Sequence, residues 1–89
     1  MRGMEVHLNR EKLCTAGIGR NAVLNAIIDV VGRKEDYHMM IRVGGLENNE
    51  FLIWSKRNLR VGDEIKICIV EADSIDAPVE RKPNVHSAP

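Results

Sequence analysis

Short stretches in which apolar and polar residues alternate recur along this 89-residue chain, and turn residues separate them. The clearest stretch is residues 64–71, where Ile65, Ile67 and Ile69 alternate with Lys66 and Cys68. A period of two places successive side chains on opposite faces of a strand, so we expect the isoleucine face to be buried. Turns every 8–12 residues predict an all-β fold, a small antiparallel sandwich or barrel of five to six strands.

Residues 22–31 allow two interpretations. As a helix, Asn21 is an N-cap, Asn25 and Asp29 form a polar stripe, and Gly32 ends the segment. As a strand, the even-numbered positions from Ala22 to Val30 form one fully apolar face. Five of the ten residues are β-branched, which favours the strand. If the segment is a helix, the fold becomes α+β.

The length of the chain leaves room for one domain. Apolar residues make up 44% of the sequence, which is enough to build a modest core. From residue 77 onward three prolines stand among polar residues, with little apolar material between them. We therefore expect one β-rich domain over residues 1–76 and a disordered tail over residues 77–89.

Charge and hydropathy indicate in which compartment the protein works and which partners are unfavourable. Thirteen basic and thirteen acidic residues give a formal net charge of zero, which provides no general attraction to nucleic acid or to anionic membranes. No apolar run is long enough for a membrane span, and no signal-peptide pattern opens the sequence. These features predict a cytoplasmic protein with no membrane partner, in which Cys14 and Cys68 are separate, buried, reduced thiols.

Residue types that support catalysis or metal binding do not cluster in the sequence. His7, His38 and His86 have no ligand partner at metal-site spacing, and two cysteines are too few for a metal motif. Asp73 and Asp76 are interpreted as solvated acids near a strand end. We find neither a nucleophile elbow nor a phosphate-binding glycine loop. We therefore expect no enzyme activity, no catalytic residue, no metal site and no cofactor.

One segment joins the single tryptophan to three cations: Trp54, Lys56, Arg57 and Arg60. Aromatic and basic groups together can stack bases and hold phosphates, and they are also frequent in protein-binding hot spots. In the strand predicted over residues 51–55 both faces are largely apolar, so either can be the core. Our hypothesis is that Trp54 is partly exposed and marks a partner surface. The alternative is that Trp54 lies in the core and the cations lie in a solvated loop.

Two resemblances extend this interpretation. The string LRVGDEIKICIVEAD at residues 59–73 resembles a strand of the OB-type barrels found in RNA-binding repeats. The wider pattern, with LCTAGI at 13–18, VGGL at 43–46, Trp54 and IVEADSIDAP at 69–78, is similar to small β-rich bacterial proteins of unknown function. These resemblances imply a β fold and no particular site residues.

From the residues themselves, we expect first that the chain is a non-enzymatic protein-interaction module. It acts through an exposed strand edge or an apolar patch on another protein or on a second copy of itself, as a homodimer. The alternative is a barrel that binds RNA or single-stranded nucleic acid through Trp54, Lys56, Arg57 and Arg60.

Overall fold

The computed structural model describes residues 1–84, and this part of the chain consists of strands and connecting loops. The seven strands are β1 (Arg2–Leu8), β2 (Glu11–Ile18), β3 (Val23–Gly32), β4 (Tyr37–Glu47), β5 (Glu50–Asn58), β6 (Ile65–Glu71) and β7 (Glu80–Pro83). Within residues 1–84 we find no helix that could span a membrane.

The strands form two antiparallel sheets. One has the order β2-β1-β6 and the other has the order β3-β4-β5-β7. β2 is the strand of the first sheet that lies over β3, β4 and β5 of the second. The all-β prediction is confirmed, and the architecture is sandwich-like rather than a closed barrel. The strand interpretation of residues 22–31 is also confirmed, and the described part of the chain contains seven strands rather than five or six.

The core lies between β2 and the middle of the second sheet, and Val6 of β1 also belongs to it. Alternation along each strand places one set of apolar side chains between the sheets, as the sequence pattern predicts. Ile41 and Val43, on the face that also includes Tyr37 and Met39, are completely buried. The buried apolar residues are Val6, Leu8, Cys14, Ala16, Ile41, Val43, Leu52 and Trp54.

The isoleucine face of β6 points in the predicted direction but is less buried than expected. Ile67 lies opposite Val6, and Ile69 lies opposite Met4, so these isoleucines share the inner face of the first sheet. However, β6 is the outer strand of that sheet and the second sheet does not reach it. Ile69 is 74% exposed as a result, and the expectation that the whole face is buried is wrong.

The segment after β6, residues 72–79, ties the two sheets together. Its beginning is held by the Ala72 amide, which donates to the Met1 carbonyl at 2.8 Å. In its middle the Asp76 amide donates to the Thr15 carbonyl at 2.9 Å, and the Thr15 amide donates to Asp76 Oδ2 at 2.8 Å. Near its end the Val79 amide donates to the Ile53 carbonyl. The segment therefore covers the outer edge of β2 and crosses to β5.

The prediction of a disordered tail is wrong for residues 79–83, while residues 85–89 lie outside the described part of the chain. β7 pairs with β5, from Ile53 opposite Glu80 to Glu50 opposite Pro83. Ion pairs support this pairing, since Arg81 Nη1 lies 3.6 Å from Glu50 Oε1. β7 lacks the alternating apolar residues from which a strand is predicted. It is held in place by backbone pairing with β5 and by ion pairs. The domain therefore continues beyond residue 76.

Candidate functional site

Trp54 is a core residue, and the hypothesis that it is exposed is wrong. Its side chain is only 4% exposed, and Nε1 donates a 2.7 Å hydrogen bond to the Asp76 carbonyl. Leu52 and Trp54 are two residues apart in β5, so they share one face of the strand, and both belong to the core. A bulge follows Trp54, since Val43 lies opposite Ser55 but Gly44 lies opposite Ile53, and Ser55 therefore also lies opposite a core residue. With Trp54 buried, no exposed tryptophan marks a partner surface in β5.

The three cations after Trp54 do not form one patch. Lys56 lies on the outer face of the second sheet, where Nζ is 3.2 Å from Glu80 Oε2. Arg57 lies opposite the core residue Ile41 and so extends from the inner face. Arg60 is in the loop before β6, and its amide donates to Asp63 Oδ2 at 2.7 Å. The cluster of one aromatic and three basic side chains on which the nucleic-acid alternative depends is not formed.

A groove on the outer face of the second sheet does bring cations and apolar side chains together. We call it the Gly44 groove, because this residue lies at its centre, between Asn25 on β3 and Ile53 on β5. Its volume is about 510 Å³. Its apolar wall consists of Val23, Leu46, Phe51 and Ile53, and its cations are Arg42, Lys56 and Lys82. No acidic side chain within residues 1–84 lines it.

Of the cations in the groove, the sequence analysis predicted only Lys56 as a binding residue. Arg42 and Lys82 were missed because they are far from Lys56 along the chain and come together only through strand register. The paired glycines at 44 and 45 are the sequence signal from which the position of the groove could have been predicted. Glycine inside a strand often marks a bulge or a close approach of another backbone.

Two acidic side chains outside the groove form hydrogen bonds that shift their pKa values. His7 Nε2 and Glu5 Oε1 are 2.8 Å apart, and this hydrogen bond holds the pKa of Glu5 below its usual value. Asn9 Nδ2 donates to Asp63 Oδ1, which lowers the pKa of Asp63. Across residues 1–84, no group of three or more histidine, cysteine or acidic side chains is arranged to hold a metal ion.

The two cysteines are separate thiols, as predicted, with different environments. Cys14 lies opposite Val6 and faces the core, whereas Cys68 lies opposite Glu5 on the other face of the same sheet and is half-buried. The expectation of burial is therefore confirmed for Cys14 only. Burial, reinforced by the negative charge of Asp76, raises the pKa of Cys14 from 9.0 to about 11.

Because the thiolate is the form that reacts, Cys14 is expected to resist alkylation in the folded protein. With iodoacetamide at pH 8, mass spectrometry should show one adduct, on Cys68. In 8 M urea, both thiols should react. Modification of Cys14 and Cys68 at equal rates in the native protein would contradict the burial of Cys14.

The raised pKa of Cys14 also means that the free energy of unfolding decreases as pH rises from about 9 to about 11, since in that range the Cys14 thiol ionises in the unfolded chain but not in the folded one.

A second surface feature is the free edge of β3. This ten-residue strand pairs with β4 on one side only, since it is the first strand in its sheet. Among residues 1–84, the backbone of β3 forms hydrogen bonds with no element other than β4. Val23, Ile28, Val30 and Val31 on this strand are large apolar residues that remain exposed.

Comparisons with protein-family models, with curated proteins and with solved structures find no match for this chain.

Proposed function

We propose that this chain is a non-enzymatic protein-interaction module that pairs through the free edge of β3, and that the strand it pairs with is β3 of a second copy. The observation that carries the proposal is the unpaired ten-residue edge itself. A free strand edge offers a row of backbone donors and acceptors, which another strand can satisfy.

The other outer strands are protected in ways that β3 is not. The edge of β2 is occupied by Asp76, which exchanges hydrogen bonds with Thr15. β7 has four residues, three of them charged and the fourth a proline. β6 has two charged residues in seven, Lys66 and Glu71. β3 has one charged residue in ten, Asp29, and short or charged edges are the usual means of preventing strand addition.

The size of the surface also favours a missing partner. A folded monomer of 10.0 kDa is expected to expose about 5,200 Å², whereas this chain exposes 6683 Å². Even if residues 85–89 exposed all of the roughly 800 Å² of an unfolded segment, several hundred Å² of excess remain. The radius of gyration is 14.4 Å, against about 12 Å for a compact chain of this length. An interface of standard size covers about 800 Å² per partner, so a dimer suits this excess.

A second copy fits the edge because β3 is complementary to itself in antiparallel pairing. With a twofold axis at Ile28, this residue lies opposite its own counterpart and Ala26 lies opposite Val30. Asp29 then lies opposite Ile27, so no like charges are placed together. Four strands from each copy would form one continuous sheet.

Ile28→Lys is expected to convert the protein from dimer to monomer, because it places two ammonium groups together at the twofold axis. Light scattering after size exclusion should give twice 10.0 kDa for the wild type and 10.0 kDa for the variant. Ile28 is already 49% exposed, so the fold should persist by circular dichroism. The matched control is Ile69→Lys on the free edge of β6, which should remain dimeric.

Three outcomes would reject parts of this proposal. A monomeric wild type at 100 μM excludes the second copy as partner. A dimer that Ile69→Lys disrupts and Ile28→Lys does not would place the interface on β6. A dimer that both variants leave intact would show that neither edge is the interface.

A further inference from the structure

We propose that the Gly44 groove is a binding site for a medium-chain aliphatic carboxylate, with the carboxylate at Arg42 and Lys56 and the chain over Leu46 and Phe51. This site lies on the outer face of the second sheet. The twofold axis proposed above is perpendicular to that sheet, so the groove remains open in the dimer. The inference does not rest on the dimer.

The groove exists because the central strand lacks side chains at this point. A Cβ on Gly44 would lie 2.6 Å from the Leu52 carbonyl oxygen, so the backbones approach too closely for any other residue. This approach accompanies the irregular register between Val43 and Gly44. The neighbours across the sheet, Asn25 and Ile53, therefore flank a gap about one side chain wide. The volume of about 510 Å³ falls within the range of small-molecule sites.

The charges at one end of the groove are not arranged for stability. Arg42 lies directly opposite Lys56 on the neighbouring strand. Like charges in this position destabilise a sheet by roughly 0.2–1 kcal/mol. Lys56 is next to Glu80, but Arg42 forms no ion pair with any residue in 1–84. Arg42 thus has no acidic partner among residues 1–84, and its free guanidinium is complementary to an anion.

The apolar part of the site begins where the charges end. Leu46 is four residues beyond Arg42 along β4, about 13 Å away, because a strand rises about 3.3 Å per residue. It lies opposite Phe51, which is 44% exposed, and next to Val23, which is 55% exposed. A ligand with an anionic head and an apolar chain of this length would cover these side chains and neutralise Arg42.

The groove suits an aliphatic chain better than a peptide. It lies on the face of the sheet, where backbone groups are already used in pairing with neighbouring strands. Among residues 1–84, Asn25 is the uncharged polar side chain that lines it. The amides of a bound peptide would lose water without gaining partners, which costs about 1–3 kcal/mol for each unsatisfied group. An aliphatic chain has no such groups to satisfy.

Decanoate, used below its micelle concentration, is the probe for this site. A titration of ¹⁵N-labelled protein should show saturable shifts at Arg42, Leu46 and Phe51. Arg42→Gln should weaken binding by about tenfold or more, as expected for loss of a charge-assisted hydrogen bond. The matched control is Arg57→Gln, an exposed cation that extends from the opposite face of the same sheet, which should change affinity by less than about twofold. Decanol, which has the same chain and no charge, should bind at least about tenfold more weakly.

The results that would overturn the proposal are specific. They are absence of saturable shifts, shifts confined to the inner face at Ile28 and Ile69, or equal losses for Arg42→Gln and Arg57→Gln. Phe51→Ala provides a second check, because it should reduce decanoate affinity without altering the circular dichroism spectrum.

Discussion

Trp54→Ala is expected to destabilise the fold by about 3–5 kcal/mol, as truncation of a buried tryptophan generally does. The change empties the space between the sheets and leaves the Asp76 carbonyl without its 2.7 Å hydrogen bond. In a domain of this size each kcal/mol lowers Tm by about 4–8 °C. Urea unfolding followed by circular dichroism measures the loss.

Two companion variants separate the contributions. Trp54→Phe retains most of the apolar ring but removes the donor, so it should cost about 1–3 kcal/mol. Phe51→Ala is the matched control on the outer face of the same strand, and it should cost less than about 1 kcal/mol because that ring is half exposed. If Trp54→Ala is no more costly than Phe51→Ala, the burial of Trp54 is wrong. Tryptophan emission should be blue-shifted in the wild type.

Gly45→Ala is expected to cost about 3 kcal/mol or more, the upper part of the range for overpacked sites. A Cβ at this position would collide with the Val23 carbonyl oxygen of β3. A backbone oxygen cannot move aside as the end of a side chain can, so β3 and β4 would have to separate. The measurement is again the free energy of unfolding in urea.

The control for this prediction is Gly19→Ala. There the nearest atom to an added Cβ is Glu47 Oε2, at 3.6 Å, which is an ordinary contact. The alanine also restricts the unfolded chain, so the change should be neutral or slightly stabilising. Equal destabilisation by Gly45→Ala and Gly19→Ala would show that strand spacing at Gly45 is not the cause.

Alternation along single strands was sufficient to predict the fold class and which residues of a strand share a face. The faces of β4 and β6 follow directly from the sequence around Ile41 and Ile67, because period-two patterning needs no information from elsewhere in the chain. The burial of a face is different, since it depends on what lies opposite. Ile69 is on the predicted face but at the outer strand of a three-stranded sheet, and this position cannot be inferred from the pattern.

The errors at Trp54 and at β7 have other physical causes. In β5 alternation places Leu52 and Trp54 on one face and Phe51 and Ile53 on the other, and two apolar faces give no signal of which one the other sheet covers. β7 contains only charged residues and proline, so composition predicts disorder where backbone pairing provides order. For the groove, Lys56 could be found as part of a basic run, but its neighbour Arg42 is fourteen positions earlier. Their proximity is a property of strand register alone.

The positions of β6 and β7 in the two sheets have a consequence for folding during synthesis. The first sheet joins β1 to β6, and the second is completed only by β7, so both sheets need residues from the last third of the chain. A nascent chain therefore cannot complete either sheet until nearly all of it has left the ribosome. Until then the edges of β1 and β5 that β6 and β7 will occupy are open to solvent. Such non-local topologies fold in milliseconds to seconds, which leaves time for a chaperone to engage the new chain first.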